Sequence, residues 1–388
     1  MVTGAVGPGP PAELAVPPVA PLAVVVGGEA TEAAGTVWVE GDAAPLPSPD
    51  EHDAATSPQA TTTAPTGTGI AQAMGSSLAG GADYGRQAMR FSFWTSNALP
   101  WDEILAGASH AAATGWDGVW FADHFMPYTA DDTGPMHESW TVVAALAASV
   151  PDVRIGPLVS GNTYRHPAVL AKMATTVDHI SGGRCVLGLG AGWQENEHTA
   201  YGIELPEVAE RLDRLEEACQ VIRGLLDNDH TDFNGKHYRL EQAPLSPKPV
   251  RGAMPLMIGG GGERRTLRIV AAYADEWNVW GDPEIMTHKN AVLDRHCAQV
   301  GRDPAAIQRS AVALLMMSDD EAYLARARQR DTGRPTVVGT PTQVAETVAA
   351  YRDAGVDELI VPDFTLGPMQ RKIETMDRFI GEVAPAFR

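Results

Sequence analysis

The sequence has few basic residues, few cysteines and no long apolar run. Its 388 residues include 29 Lys and Arg against 49 Asp and Glu, a net charge of -20 that repels phosphate backbones and anionic lipid surfaces. We therefore expect neither nucleic-acid nor membrane binding. Cys185, Cys219 and Cys297 share no short spacing, which excludes a disulfide framework or a zinc site. Without the roughly 20 apolar residues of a membrane helix or the basic start of a signal peptide, we expect a soluble cytoplasmic protein.

Residues 1–88 differ in composition from the rest of the chain. They are rich in Ala, Gly, Pro and Thr, with nine acidic residues and one basic residue, Arg86. They show no sustained helical or strand period, and such a segment cannot bury enough apolar surface to offset the entropy of ordering it. We expect a disordered low-complexity tail. A second interpretation is a start-site artefact, because Met89 directly precedes the first convincing strand.

From residue 89 to residue 388, short apolar runs alternate with longer segments of helical period, which is typical of parallel β/α units. The predicted strands are Arg90–Thr95, Gly118–Ala122, Arg154–Ser160, Arg184–Gly190, Pro255–Gly259, Glu276–Trp280, Ser310–Met316 and Glu358–Val361. Eight such strands, each followed by a helix, close a barrel, whereas a doubly wound open sheet usually has about five or six strands. We predict a single (β/α)8 TIM barrel. The Asn234-Gly235 pair indicates an inserted β-hairpin over residues 231–240.

The ends of the second and third predicted strands carry polar residues, and barrel enzymes place their working residues at such ends. His124 follows the second strand, where it can move a proton; the alternative is that it only bonds to Asp123 and braces the loop. After the third strand come Asn162 and Arg165. Pro167 at the first helical position predicts that Arg165 is exposed to the barrel mouth; the alternative is a turn with a solvated arginine.

Two glycine-rich segments follow the fourth and fifth strands. Gly188–Trp193 allows the backbone to pass close to a flat ring or a phosphate, with Trp193 as a pocket wall, although the same glycines also suit tight barrel packing. Its spacing does not match a dinucleotide-binding turn. Gly259–Arg265 opens directly into a helix. Free N–H groups, glycines and two arginines, Arg264 and Arg265, predict an anion site there; the alternative is a loop whose arginines pair with surface acids.

Taken together, residues 89–388 resemble the bacterial-luciferase-like superfamily, and within it the oxidoreductases that use the deazaflavin coenzyme F420. The matching segments are Ala122–Phe125, Asn162–Pro167, Leu187–Trp193, Phe233–Tyr238 and Ile258–Arg265. Two positions depart from the sugar-phosphate dehydrogenases of that group. Trp193 stands where some of them have a catalytic glutamate, and Tyr128 where they have tryptophan. Sugar-phosphate oxidation is therefore in doubt.

The resemblance implies a layout for the cofactor site. His124 would lie beside the deazaflavin ring, and a non-proline cis peptide near Leu158-Val159 would form a bulge behind it. The resemblance also implies that Ala191, Gly192 and the glycines Gly260, Gly261 and Gly262 hold the phosphate. Superfamily members usually form homodimers, which we expect here as well.

We therefore predict an F420-dependent oxidoreductase that transfers hydride between the deazaflavin and a small organic substrate. His124 would move the accompanying proton, and Arg165, Arg264 and Arg265 would provide positive charge for the anionic cofactor. One alternative is a monooxygenase that uses reduced FMN to activate dioxygen, and another is a non-catalytic flavin-binding barrel. A metal hydrolase is unfavourable, because the first strand ends Trp94-Thr-Ser-Asn97 without a metal ligand.

Overall fold

The computed structural model describes residues 88–128 and 132–388. The predicted tail falls almost wholly on residues 1–87, outside the described residues. The described strands are β1 (Arg90–Trp94), β2 (Gly118–Phe121), β3 (Arg154–Pro157), β4 (Ser160–Gly161), β5 (Leu187–Gly190), β6 (His230–Asn234), β7 (Arg239–Pro244), β8 (Leu256–Gly259), β9 (Glu276–Trp280), β10 (Gln308–Val312), β11 (Leu314–Met317), β12 (Thr336–Gly339) and β13 (Glu358–Pro362).

A parallel barrel is the centre of the described chain. Its strands pair in the order β3-β2-β1-β13-β10-β9-β8-β5-β4. The short strands β3 and β4 are the two halves of one barrel strand, separated by Leu158 and Val159. The ring closes where the N–H of Val186 donates to the carbonyl of Ile155 at 2.9 Å. Eight strand positions therefore close the barrel, as predicted.

Helices follow the barrel strands and cover their outer faces. They are α1 (Trp101–Thr114), α2 (Ser139–Ser149), α3 (Pro167–Ser181), α4 (Glu195–Tyr201), α5 (Val208–Asp227), α6 (Thr266–Tyr273), α7 (Pro283–Val300), α8 (Glu321–Gln329), α9 (Pro341–Asp353) and α10 (Met369–Arg378). Local signals fix several helix starts. Pro167 occupies the first turn of α3, where its missing N–H costs nothing, and Thr340 and Gln343 form a reciprocal capping box at the start of α9.

The structure adds three elements around the predicted barrel. The hairpin β6–β7 lies between α5 and β8, as the Asn234-Gly235 pair predicted. The seventh predicted strand divides: β10 belongs to the barrel, whereas β11 leaves it and pairs in parallel with β12. The short helix α4, directly after β5, was not predicted.

Two apolar layers surround the strands. The large one fills the space between strands and helices. The small one lies inside the barrel and includes Trp94, Trp120, Met257 and Ile360. Among the described residues, no helix is both long and apolar enough to cross a bilayer.

Candidate active site

A cavity of about 810 Å³ opens at the carboxyl ends of the barrel strands. Loops at this end of a (β/α)8 barrel hold the catalytic residues, and the volume suits a cofactor or a small molecule. Most of the predicted site residues line it: His124, Leu158, Val159, Ala191, Gly192, Trp193, Gly260, Gly261 and Gly262. Three do not line it, namely Asn162, Arg165 and Arg264.

The side chain of His124 is held by a buried carboxylate. Its Nδ1 lies 2.7 Å from Oε1 of Glu197, which is fully buried on α4. The same carboxylate accepts the backbone N–H of Phe125 at 2.7 Å and the hydroxyl of Tyr164. Asp123, by contrast, does not bond to His124 and binds Arg165 instead.

This arrangement determines the ionisation of Glu197 and the tautomer of His124. Burial acts to raise the pKa of Glu197, but the hydrogen bonds from His124, Phe125 and Tyr164 outweigh it and hold the pKa below its usual value. Burial and the neighbouring carboxylate raise the pKa of Tyr164, which therefore stays protonated. An ionised carboxylate only accepts, so Nδ1 of His124 carries the hydrogen. Nε2 is left to face a ligand in the cavity.

The prediction that Arg165 is exposed to the mouth is wrong. Its guanidinium donates to Asp123 at 2.6 Å and also to Glu138, the N-cap residue of α2, at 2.5 Å. Although burial acts to lower the pKa of Arg165, these two carboxylates raise it. The three residues form a closed network that joins the loop after β2 to the start of α2 and the loop before α3.

The bulge between β3 and β4 accounts for several of the predicted glycines. The Leu158-Val159 peptide is cis, as the family resemblance implied. A Cβ on Gly259 would lie 2.7 Å from Cγ2 of Val159, and one on Gly190 would lie 2.8 Å from the same atom. Gly190 and Gly259 are therefore needed for packing against the bulge, and for Gly190 this is one of the two interpretations that the sequence left open.

The loop after β8 presents free donors at the start of α6. The N–H of Gly260 donates to the carbonyl of Asn278 at 3.0 Å, whereas those of Gly261 and Gly262 have no partner among the described residues. Beneath the loop, Nζ of the buried Lys289 donates to the carbonyl of Gly261 at 2.8 Å. Free N–H groups just before a helix suit an anion, and Lys289 also pairs with Glu263 at 3.6 Å, which offsets part of its charge.

The cation that faces the cavity near this loop is not one of those predicted. Arg265 is bound to Asp213 of α5 at 2.6 Å, and Arg264 is exposed and outside the lining. Arg211 of α5 does line the cavity: its guanidinium donates to the carbonyl of Gly192, and its Nε is buried without a hydrogen-bond partner among the described residues. The sequence did not predict a role for Arg211, because an arginine on an amphipathic helix is usually solvated.

Asn162 lies behind the cavity wall. Its amide donates to the hydroxyl of Tyr238 at 3.2 Å, which connects the loop after β4 to the inserted hairpin. The side-chain oxygen of Asn162 is buried without a partner among the residues described. Its role as a cofactor ligand stays a prediction.

The sequence profile of a family described as luciferase-like monooxygenase matches residues 89–332. An F420-dependent glucose-6-phosphate dehydrogenase of Kineococcus radiotolerans is 28% identical over 324 residues, which is 72% of this chain and 91% of that protein. An FMNH(2)-dependent dimethylsulfone monooxygenase of Pseudomonas putida is 25% identical over 295 residues, 65% of this chain and 79% of that protein. Both cofactor types therefore occur among the relatives.

Solved structures share the fold. The coenzyme F420-dependent tetrahydromethanopterin reductase of Methanopyrus kandleri superposes with a TM-score of 0.66 at 18% identity. The superposition covers 78% of this chain and all of that one. At this identity the likeness shows a common barrel.

Proposed function

The chain belongs to the family of luciferase-like monooxygenases, and from this premise we propose that it is an F420-dependent oxidoreductase acting on a small organic substrate. The observation that carries the proposal is the placement of two features in one cavity. His124, fixed by Glu197, can move a proton, and the free N–H groups of Gly261 and Gly262 can hold a phosphate. The dehydrogenase similarity over most of the chain favours F420.

When bound, F420 supplies the hydride chemistry of the deazaflavin ring. The chain would hold its phosphate with the N–H groups of Gly261 and Gly262, assisted by the guanidinium of Arg211. Leu158 and Val159, which line the cavity at the bulge, would border the ring, and Trp193 would form a wall beside His124, whose ring centre is 5.4 Å from it.

The protein's own part in the reaction is proton transfer. Nε2 of His124, which carries no hydrogen in the neutral ring, would take a proton from the substrate as hydride passes to the deazaflavin, and in the reverse direction the imidazolium would return that proton. The imidazolium that forms on taking a proton is stabilised by the buried Glu197 carboxylate at 2.7 Å. Tyr164 and the N–H of Phe125 hold that carboxylate in place.

The test is a titration of the purified full chain with F420 and with FMN, followed by fluorescence. We expect F420 to bind at least about tenfold more tightly, a difference of roughly 1.4 kcal/mol. The F420-loaded protein should then turn over with a member of a carbonyl, imine and enone panel. Tight binding of FMN without F420 binding would replace the proposal with a flavin monooxygenase, and F420 binding without turnover would favour the non-catalytic barrel.

Homodimer formation also belongs to the proposal, and sedimentation of the full chain measures it. A monomer at micromolar concentration would contradict homodimer formation. It would leave the cofactor assignment unchanged, because the site as described uses residues of one chain.

A further inference from the structure

One wall of the cavity is built from aromatic side chains. The rings of Trp94 and Trp280 are 5.7 Å apart, and Phe364 meets Trp94 edge-on at 5.2 Å. Trp94 is buried, whereas Phe364 is 53% exposed at the end of β13. The wall therefore runs from the barrel interior to solvent, and a flat apolar ligand could contact it along this length.

A second aromatic surface lies beside His124. The ring centres of Trp193 and Tyr128 are 5.0 Å apart, and both side chains line the same cavity while remaining partly exposed. The faces of these two rings that point into solvent lack the stabilisation that burial gives. A planar substrate that covers them recovers it, and so these residues favour a conjugated ligand.

Polar side chains at the cavity are largely occupied by the protein itself. The amide nitrogen of Gln194 donates to Met126, that of Asn278 donates to Ser310, and that of Asn97 donates to Ala122, all within 2.9 Å. At least one N–H of each amide is therefore unavailable to a ligand. A hydroxyl-rich substrate needs many such partners, because each unpaired polar group costs free energy on burial. The lining therefore disfavours a sugar.

Arg334 is the half-buried one of the two arginines before β12 that line the cavity, the other being the exposed Arg330. Its guanidinium lies 4.9 Å from the ring centre of Trp280 and forms no ion pair among the described residues. The neighbouring carboxylate of Asp331 is used by the N–H of Gly333 at 2.9 Å. Burial lowers the pKa of Arg334 and no carboxylate opposes the shift. In a chain of net charge -20, a half-buried arginine without an acid partner among the described residues favours binding of an anion.

We propose that the substrate is a planar, conjugated organic acid whose ring lies on the Trp94–Trp280 wall and whose carboxylate binds Arg334. This rests on the proposed function, since it names the substrate class of the same site. Arg334 pairs with a carboxylate in two-point geometry, and Trp280 holds the guanidinium flat for that contact.

Three probes separate charge from shape: trans-cinnamate is planar and anionic, cinnamyl alcohol is planar and neutral, and glucose 6-phosphate is anionic without a planar ring. Each is titrated by calorimetry into the full chain, both with F420 and without it. We expect cinnamate to bind at least about tenfold more tightly than the alcohol, since a charge-assisted hydrogen bond is worth more than a neutral one. Glucose 6-phosphate should bind more weakly than cinnamate.

Two variants and a matched control locate the effect. Arg334→Met should remove the preference for cinnamate over the alcohol, and Trp280→Leu should weaken both probes. Arg371→Met is the control, because Arg371 lies 4.6 Å from the ring of Tyr323, outside this cavity; it should leave both affinities unchanged. The dissociation constant of F420 is measured for every variant to verify that the site is folded.

Several results would overturn the proposal: no binding of cinnamate, equal binding of cinnamate and the alcohol, tighter binding of glucose 6-phosphate, or an Arg334→Met variant that loses F420 affinity while keeping cinnamate. These differ from failure of the proposed function, in which the wild-type chain does not bind F420. The probe ranking without cofactor is still measurable in that case.

Discussion

The two ends of the barrel use the same residue types in opposite ways. At the amino end, where strands begin, the fully buried Glu358 accepts from Arg90 at 3.1 Å, Arg154 at 2.8 Å, Ser92 at 2.5 Å and Trp120 at 3.2 Å. Arg154 also binds Glu276. At the mouth, by contrast, no residue of the described chain bonds to Nε2 of His124 or forms an ion pair with Arg334.

This difference separates stability from function. Burying a charge costs desolvation free energy, which only an oppositely charged or hydrogen-bonding partner offsets. At the amino end, each charged group named above has such a partner. At the mouth the same cost is left partly unrecovered, which a ligand of opposite charge can correct. Variants at the amino end should therefore change the free energy of unfolding and leave ligand binding unchanged, whereas variants at the mouth should do the reverse.

The largest expected effect is on turnover at the mouth. His124→Ala removes the proton-transfer group, and we expect kcat to fall by about 10² to 10⁴, with the dissociation constant of F420 within about threefold of wild type. Steady-state assays with any substrate of the panel that is turned over measure kcat, and F420 fluorescence measures the dissociation constant.

His110→Ala is the matched control for this variant. His110 also pairs with a carboxylate, Asp377 at 2.7 Å, but on α1 and outside the cavity. It should keep wild-type kcat. Equal losses in both variants would mean that His124 has only a structural role.

The contrast between the two ends was only partly predictable from the sequence. Strand runs rich in Val, Ile and Leu and strong local signals located the barrel, and the bounds of β9 match the predicted ones. His124 was predicted because it follows a barrel strand, and the carboxyl ends of barrel strands carry the catalytic residues in this fold. Glu197 was not predicted as a site residue, because α4, which carries it, has only seven residues.

Two of the misassigned residues depend on partners distant in the chain. Arg265 pairs with Asp213, 52 residues earlier, and Arg165 with Asp123, 42 residues earlier. Pairing at such distances is set by how helices pack on the barrel, and local pattern does not contain it. Arg211 was missed for the same reason, since only the packing of α5 turns it toward the cavity.

The next effect is on stability at the amino end. Glu358→Gln keeps the shape of the side chain but removes the charge that Arg90 and Arg154 share. We expect the free energy of unfolding to fall by about 3 kcal/mol, as for other buried ion pairs that lose one partner. Urea unfolding followed by circular dichroism measures it. A large loss of F420 affinity in the folded variant would contradict the separation of the two ends.

A smaller effect is expected at the phosphate side of the mouth. Arg211→Met should weaken F420 binding about tenfold, since a charge-assisted contact is lost, and should not weaken binding of the deazaflavin that lacks the phosphate. Arg265→Met is the control: its ion pair with Asp213 is partly exposed and should be worth less than about 1 kcal/mol of stability and nothing in affinity. A larger loss of F420 affinity in Arg265→Met than in Arg211→Met would mean that the phosphate is bound by the arginines predicted from the sequence.

The smallest effect is the pH dependence of the amino-end network. Burial acts to raise the pKa of Glu358, but Arg154, Arg90 and Ser92 outweigh it, so the folded pKa lies below the ordinary 4.5. A carboxylate with a depressed folded pKa contributes stability that is complete above its unfolded pKa and is lost as pH falls through the folded one. The stability gap between wild type and Glu358→Gln should therefore be constant near neutral pH and narrow below about 4.5. Urea unfolding of both proteins over this range measures the gap. A gap that widens in acid would mean that the folded pKa of Glu358 lies above its unfolded pKa, and that Arg90 and Arg154 do not stabilise its charged form.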